Sequence, residues 1–103
     1  ERPVIACLGL AFKADIDDLR GSPALMIAEC LAHAGIGEII VVEPNIKVQT
    51  ASLAKLGVLL TALDDALARA DVVVLLVDHS PFKKITIAQL KNIELIDTRG
   101  LLI

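Results

Sequence analysis

The chain has 103 residues, 55% of them hydrophobic, yet it contains no Trp, no Tyr and only two Phe residues. Its formal net charge of −3 and its scattered Lys and Arg residues argue against a nucleic-acid-binding surface, since affinity for phosphate backbones comes from clustered basic residues. No apolar run approaches the roughly 18 residues of a membrane span and no basic-then-apolar leader is present, so we expect one soluble, cytoplasmic domain over residues 1–103.

Short apolar runs bounded by Gly, Asp or Pro alternate with helical patterns along the chain. In chain order we predict a strand at Val4–Leu10, a helix at Pro23–His33, a strand at Ile39–Val42, a helix at Val48–Leu56, a strand at Val58–Leu60, a helix opening at Thr61, a strand at Val72–Val77, a short helix at Ile87–Lys91 and a strand at Ile93–Ile96. This alternation predicts an α/β, Rossmann-like fold, with a parallel five-stranded sheet and helices on both faces.

The predicted helices carry recognisable end signals. Ser22 is the expected N-cap of the first helix, with Pro23 at its first position and Gly35 beyond its end. Thr61 and Asp64 form an acidic variant of the capping box at the third helix. The first helix is apolar around most of its circumference, so one face should meet the sheet and another something that can lie outside this chain.

The two cysteines lie in apolar surroundings. Cys7 falls inside the first predicted strand and Cys30 inside the first helix, and neither belongs to a CxxC pair or a metal-ligand spacing. Both are therefore predicted to be buried, reduced thiols, and no metal site is expected.

The segment Gly9–Pro23 joins the first strand to the first helix and carries two cations, Lys13 and Arg20, with three aspartates between them. It follows the carboxyl end of a strand, the edge at which open α/β sheets bind ligands. Lys supplies a point charge for phosphate, and Arg a fork for phosphate or carboxylate. The chemistry alone leaves two interpretations open: a site for an anionic ligand, or a surface loop whose cations only neutralise the aspartates.

Two other ligand classes fit this segment less well. A dinucleotide site needs Gly-x-Gly-x-x-Gly running directly into a helix, whereas the aligned residues are Gly9, Ala11 and Ala14 and the helix signal comes only at Ser22. Glu43 ends the second strand, where a ribose-binding acid would sit, but it is 34 residues past Gly9 instead of about 20. A phosphoacceptor domain would need carboxylates closer to the strand end and a Lys-Pro after the last strand.

The full motif from Gly9 to Ala24, Gly-Leu-Ala-Phe-Lys-Ala-Asp-x-Asp-Asp-x-Arg-x-Ser-Pro-Ala, resembles the C-terminal domain of the UDP-glucose/GDP-mannose dehydrogenase family. The likeness continues at Val42–Asn45, Ala70–Val72 and Ile96–Arg99, so it covers nearly the whole chain. Within that family, residues 77–82 look like the branch that oxidises UDP-N-acetylmannosamine or a related UDP-N-acetylhexosamine.

The resemblance implies the UDP-binding domain of an NAD-dependent nucleotide-sugar dehydrogenase of polysaccharide biosynthesis, which oxidises the C6 alcohol of a UDP-sugar to the uronic acid. The catalytic thiolate and the NAD site would belong to the N-terminal part of the parent chain, so neither Cys7 nor Cys30 is catalytic and this part binds no cofactor. The implied partners are the UDP-sugar, the N-terminal and central domains, and a second copy in a homodimer or larger assembly.

The resemblance also implies binding residues. Phe12 and Lys13 match a pair that lines the nucleotide-sugar site, and Arg99 matches an arginine that reaches this site from the last strand. In a 3-2-1-4-5 strand order the first and fifth strand ends are about 10 Å apart, within reach of long side chains. Arg20 matches an arginine of the same loop, but the family commonly has Glu where this chain has Gly21, so its role stays open between substrate contact and anchoring of the aspartates.

His79 has two possible roles, contact with the nucleotide or sugar and capping of the turn at Asp78 and Ser80, of which the cap is the simpler. A second class of function also stays open: a non-catalytic α/β binding or assembly module that kept the fold and lost the ligand. In that case the apolar face of the first helix would dock on a partner.

Overall fold

The computed structural model describes residues 3–11, 19, 21–47 and 49–100. The strands are β1 (Val4–Leu8), β2 (Glu38–Val42), β3 (Leu59–Leu60), β4 (Val72–Leu75) and β5 (Glu94–Asp97). The helices are α1 (Pro23–Ala34), α2 (Ala51–Lys55) and α3 (Leu63–Arg69), and two 3-10 turns, Ser80–Lys84 and Ala88–Leu90, connect β4 to β5.

The five strands form one parallel sheet in the order β3-β2-β1-β4-β5. This order confirms the predicted Rossmann-like fold, and it reverses direction between β1 and β4, where open α/β sheets bind ligands outside the carboxyl ends of the strands. Leu8 lies level with Val42 on one side and Leu75 on the other. The loops that follow β1, β2 and β4 therefore leave the sheet at the same height.

Helices cover both faces of the sheet because successive residues of each strand point to opposite sides. Ile5 and Cys7 of β1 belong to a core cluster with Ala28 of α1. Leu8 belongs to the cluster on the other face, with Ala66 of α3. No helix in the described part of the chain is long and apolar enough to cross a membrane.

The strands at the carboxyl edge are shorter than predicted. β1 ends at Leu8 instead of Leu10, because Gly9 takes a φ of 98° and turns the chain out of the sheet. β4 ends at Leu75 instead of Val77, because the amides of Leu76 and Val77 both point at the carbonyl of Leu8 and the regular ladder stops. The residues beyond both strand ends are thus available to build a site.

The later helices also begin or end at other residues than predicted. The prediction of Thr61 as N-cap of α3 is wrong: Ala62 occupies that position without a side-chain hydrogen bond, while the Thr61 amide donates to Val41 and prolongs the pairing of β3. α2 begins after the cap Thr50 and is shorter than the predicted range, whose first residue, Val48, lies outside the described residues. The predicted last helix is only a 3-10 turn, and β5 lies one residue further along than expected.

The predicted ends of α1 are confirmed, but the predicted burial of one of its residues, Cys30, is not. The Ser22 hydroxyl accepts from the Leu25 amide at 3.2 Å, and Gly35 ends the helix in the left-handed conformation. Ala24 and Ala28 pack against the sheet, whereas Cys30 is exposed on the outer side of the helix. The prediction of a buried thiol is therefore correct for Cys7 and wrong for Cys30.

Candidate functional site

Gly9 sets the direction in which the chain leaves β1 at the carboxyl edge. Its amide donates to the Val42 carbonyl at 2.8 Å, and a Cβ added to it would lie 2.6 Å from the Cβ of Val77. Glycine is required here for two reasons: the positive φ, which L side chains rarely adopt, and the close approach of the loop after β4.

Glu43, the first residue after β2, places a buried carboxylate under this loop. Glu43 is only 3% exposed. Oε1 accepts hydrogen bonds from the amides of Leu10 (2.8 Å) and Ala11 (3.0 Å). Oε2 accepts from the Asn45 amide (3.0 Å) and from Asn45 Nδ2 (3.2 Å). The carboxylate therefore joins the loop after β2 to the loop after β1.

His79, from the loop after β4, bonds to the same carboxylate. Its Nε2 lies 2.8 Å from Glu43 Oε1, and because an ionised carboxylate only accepts, the Nε2–H group donates. Asn45 Nδ2 lies 3.3 Å from His79 Nδ1, and the ring packs against Phe82 with its centroid 5.5 Å away. His79 is the N-cap residue of the turn Ser80–Lys84, as the simpler prediction has it, but its fully buried side chain makes no cap hydrogen bond there and bonds to Glu43 instead.

The environment of Glu43 favours its ionised form. Burial raises the pKa of this carboxyl, but the hydrogen bonds from His79 and from the Leu10 and Asn45 amides outweigh burial and bring the pKa below its ordinary value of 4.5. A carboxylate that is buried and surrounded by five donor groups has a structural task. It does not present itself to a ribose, the role considered for it from the sequence.

Ser22 closes the other end of the segment that follows β1. Its hydroxyl donates to the Leu10 carbonyl at 2.6 Å, while its amide donates to the Leu19 carbonyl at 3.2 Å. Residues twelve apart in sequence thus meet directly, so the predicted ligand-binding loop starts and finishes at one point of the fold.

Arg99 lies just beyond β5 at the same edge. Its side chain is 49% exposed, and Nη2 lies 3.7 Å from Asp78 Oδ1, an ion pair that is longer than a hydrogen bond. A cleft of about 60 Å³ opens beside it, lined by Ala11, Pro23, Ala24, Leu76, Val77 and Arg99. The end of β5 and the start of the loop after β1 therefore share one opening.

The structure accounts for only part of the predicted site. Phe12, Lys13 and Arg20 lie outside the described residues. Arg99 lies beside Ala11, the residue that directly precedes Phe12, and His79 is buried and bonds to the same Glu43 oxygen as the Ala11 amide. Contact between His79 and a nucleotide sugar stays a prediction.

The network of Glu43, Asn45 and His79 was missed by reasoning from sequence. A signal for it existed in the motif Val-Glu-Pro-Asn, because a carboxylate and an amide directly after an apolar strand must find partners at a buried edge. The identity of those partners depends on the strand order, which brings Glu43 and His79 together from positions 36 apart.

The described residues do not fit a cofactor or a metal. They contain no group of three or more His, Cys, Asp or Glu side chains that could hold a metal ion. For NAD, the glycine-rich turn is missing, α1 begins only at Pro23, and the acid at the end of β2 is buried.

Known proteins that are similar to this chain agree with the family resemblance seen in its motifs. Residues 6–102 match the model of the UDP-glucose/GDP-mannose dehydrogenase family, UDP binding domain. The chain is 52% identical over 101 residues to an NDP-N-acetyl-D-galactosaminuronic acid dehydrogenase of Ralstonia solanacearum, covering 98% of this chain and 23% of that protein. It is also 52% identical over 96 residues to the UDP-N-acetyl-D-mannosamine dehydrogenase of Escherichia coli K12, covering 93% and 23%.

The fold comparison extends this likeness to solved structures. A GDP-mannose dehydrogenase from Pseudomonas aeruginosa superposes with a TM-score of 0.79 at 31% identity, over 98% of this chain and 25% of that one. The chain thus spans about a quarter of the length of the relatives it matches.

Proposed function

Since this chain belongs to the UDP-glucose/GDP-mannose dehydrogenase family and matches its UDP binding domain, we propose that residues 1–103 form a single domain of a longer NAD-dependent nucleotide-sugar dehydrogenase. This domain binds the UDP part of the substrate. The rest of the parent chain supplies the NAD site and the catalytic thiolate, because the described residues do not fit NAD, burial raises the pKa of Cys7 to about 12, and Cys30 does not line the cleft beside Arg99. We propose further that the parent enzyme works as a homodimer or larger assembly.

The proposed substrate is UDP-N-acetylmannosamine or a related UDP-N-acetylhexosamine. Two relatives at 52% identity support this choice, one named for UDP-N-acetyl-D-mannosamine and one for an N-acetylgalactosaminuronic acid. The reaction oxidises the C6 primary alcohol to the carboxylate, with water supplying the second oxygen, and reduces two molecules of NAD+ to NADH.

In this proposal Lys13 and Arg99 hold the diphosphate, Phe12 lines the site, and Arg20 contributes either a ligand contact or support for the loop. The observation that carries the proposal is the cleft shared by Ala11 and Arg99, since it joins the start of the Lys13 loop to the cation after β5. A UDP diphosphate carries about two negative charges, which such cations bind through charge-assisted hydrogen bonds.

The surroundings of Arg99 suit that role. Its only described ion pair is the loose one to Asp78 at 3.7 Å, and half of its side chain is exposed at the cleft. A guanidinium held in this way can turn its donors to a bidentate anion while Asp78 keeps it near the opening. Lys13 comes two residues after Ala11, which lines the same opening.

The proposal is tested by titrating the full-length protein with UDP in a calorimeter, as wild type and as Lys13→Ala and Arg99→Ala. Each charge-assisted hydrogen bond contributes about 1.5 to 3 kcal/mol, so each substitution should weaken binding about 10- to 150-fold. Arg69→Ala is the matched control, because Arg69 is similarly exposed and pairs with Glu38 at the opposite edge of the sheet.

Affinity for UDP in Arg69→Ala should equal that of wild type. Unchanged affinity in both Lys13→Ala and Arg99→Ala would remove the assigned site. Absence of UDP binding by the wild-type protein would remove the proposed function itself.

A further inference from the structure

We infer that Glu43 is a positioning residue of the nucleotide-sugar site: its buried carboxylate fixes the backbone that leads into Phe12 and Lys13 without touching the ligand. This inference rests on the proposed function and adds to it the part of the fold that holds the binding loop in place.

The first support is the direction of the hydrogen bonds on Oε1. Two consecutive amides, those of Leu10 and Ala11, donate to this one oxygen at 2.8 and 3.0 Å. These two peptide groups are the last described ones before Phe12. Two bonds from neighbouring amides to one atom fix the orientation of both peptide planes, and with them the starting direction of the loop.

The second support is that both oxygens of the carboxylate are held by further hydrogen bonds. Oε2 is held by the amide and side chain of Asn45, and Oε1 is held by His79 from the loop after β4. Glu43 thus connects the ends of three neighbouring strands in a hydrogen-bonded network in which Glu43 and His79 are buried and Asn45 is exposed. Such networks are rigid, and the loss of one member leaves buried partners unpaired.

The third support comes from the other side of Leu10. While its N–H group bonds to Glu43, its carbonyl accepts from the Ser22 hydroxyl at 2.6 Å. Both polar groups of this residue are therefore fixed by buried side chains. Ser22 is the N-cap of α1, so its hydrogen bond attaches Leu10 to that helix. Glu43 follows β2, so its hydrogen bond orients Leu10 relative to the sheet.

The test compares Glu43→Ala, Glu43→Gln and Glu43→Asp in the full-length protein. Gln keeps the side-chain length and an oxygen for Leu10 and Ala11, whereas Asp keeps the charge but is one methylene shorter and cannot reach both amides. Misplacement by about 1 Å can cost up to about 100-fold in a site that depends on geometry, so we expect the dissociation constant for UDP to rise at least about tenfold in the Ala and Asp variants. The Gln variant should stay within about threefold of wild type.

Asp71→Ala is the matched control. The Asp71 carboxylate also accepts an amide of the first strand, that of Val4 at 2.8 Å, but at the opposite edge of the sheet. Its affinity for UDP should equal that of wild type. In steady-state kinetics the Asp and Ala variants should raise KM for the UDP-sugar and leave KM for NAD unchanged, a split that general destabilisation does not produce.

The outcomes separate the inference from its premise. If wild type binds UDP and Glu43→Asp and Glu43→Gln bind it equally well, the inference is wrong and the proposed function stands. If the Gln variant weakens UDP binding more than the Asp variant, the carboxylate acts by its charge and the positioning role is wrong. If wild type does not bind UDP, the premise fails and the inference with it. The Asp and Gln pair decides the matter even if Glu43→Ala fails to fold.

Discussion

At the scale of single residues, Glu43 joins the loops that follow β1, β2 and β4 at the candidate site. A carboxylate at the end of a central parallel strand is unusual, because such strands are buried on both sides and are almost wholly apolar. Here the charge is stabilised by donors from three loops. From the sequence Glu43 was considered only as a ribose-binding acid, a role that its distance from Gly9 did not favour, because its partners on neighbouring strands were not visible.

Replacing Glu43 by Gln should lower stability at neutral pH, and the loss should shrink in acid. The pKa of Glu43 is lower in the folded protein than its ordinary value of 4.5, so folding favours the ionised form. This contribution is complete above about pH 4.5 and disappears as the pH falls through the folded-state pKa. Buried hydrogen bonds to a charged group are worth about 1.5 to 3 kcal/mol, which is the expected difference at pH 7.

Urea unfolding followed by circular dichroism measures this difference between wild type and Glu43→Gln from pH 7 to pH 3. The two free energies of unfolding should approach each other only below about pH 4.5. A difference that is constant across the whole range would contradict the stabilisation of the ionised form.

At the scale of secondary-structure elements, the joint between the loop after β1 and α1 depends on one hydroxyl. Ser22 caps the helix through Leu25 and also bonds to the buried carbonyl of Leu10. Thr50 caps α2 in the same way through Leu53 but has no comparable buried partner among the described residues. Both helices thus have a hydroxyl N-cap, but only that of Ser22 also bonds to a buried carbonyl among the described residues.

Ser22→Ala should therefore destabilise the domain more than Thr50→Ala. Loss of an N-cap costs about 1 kcal/mol, which is the expected loss for Thr50→Ala. Ser22→Ala also removes the donor to a buried carbonyl, so its loss should be about 2 to 3 kcal/mol. Chemical unfolding of both variants gives the comparison, and equal losses would show that the bond to Leu10 contributes nothing.

The elements themselves were largely predictable from the sequence. The five strands, the fold and the ends of α1 follow from apolar runs and from Ser22, Pro23 and Gly35, which act locally. Errors fell where a distant contact overrode the local signal. Thr61 reads as a cap, yet its amide continues the sheet by donating to Val41.

At the scale of the whole molecule, the two cysteines lie in different environments, one in the buried sheet and one on an exposed helix surface. Cys7 lies in the central strand, fully buried, and burial raises the pKa of its thiol to about 12. Cys30 lies on the outer side of α1. Composition alone predicted the same burial for both, because an apolar helix gives no indication of which of its faces a sheet will cover.

A thiol reagent applied to the native protein, with labelled peptides identified by mass spectrometry, should modify Cys30 and leave Cys7 unmodified. Reaction requires the thiolate and access, and Cys7 gains both only when the domain unfolds. Addition of urea should expose Cys7 to the reagent. Labelling of Cys7 at the rate of Cys30 without denaturant would contradict its place in the core.

The candidate site was predictable in outline only. The parallel sheet and its carboxyl edge follow from the alternation of strands and helices, and the strand order is known from the structure. The match over residues 6–102 confirms the family, whereas the binding residues that the resemblance implies stay predictions. The buried support of that loop was beyond reach, because Glu43, His79 and Ser22 act through contacts that no single stretch of sequence contains.

The central place of β1 in the sheet also has a consequence for how the domain is completed during synthesis. Among the described strands β1 comes first in the chain, its neighbours β2 and β4 come later, and the edge strand β5 follows β4. Parallel pairing between such distant segments is slow, so the nascent domain holds an apolar strand with one unpaired edge until β4 has emerged from the ribosome. A truncation before β4 would leave β1 open on one side, whereas a truncation before β5 would leave β1 paired on both.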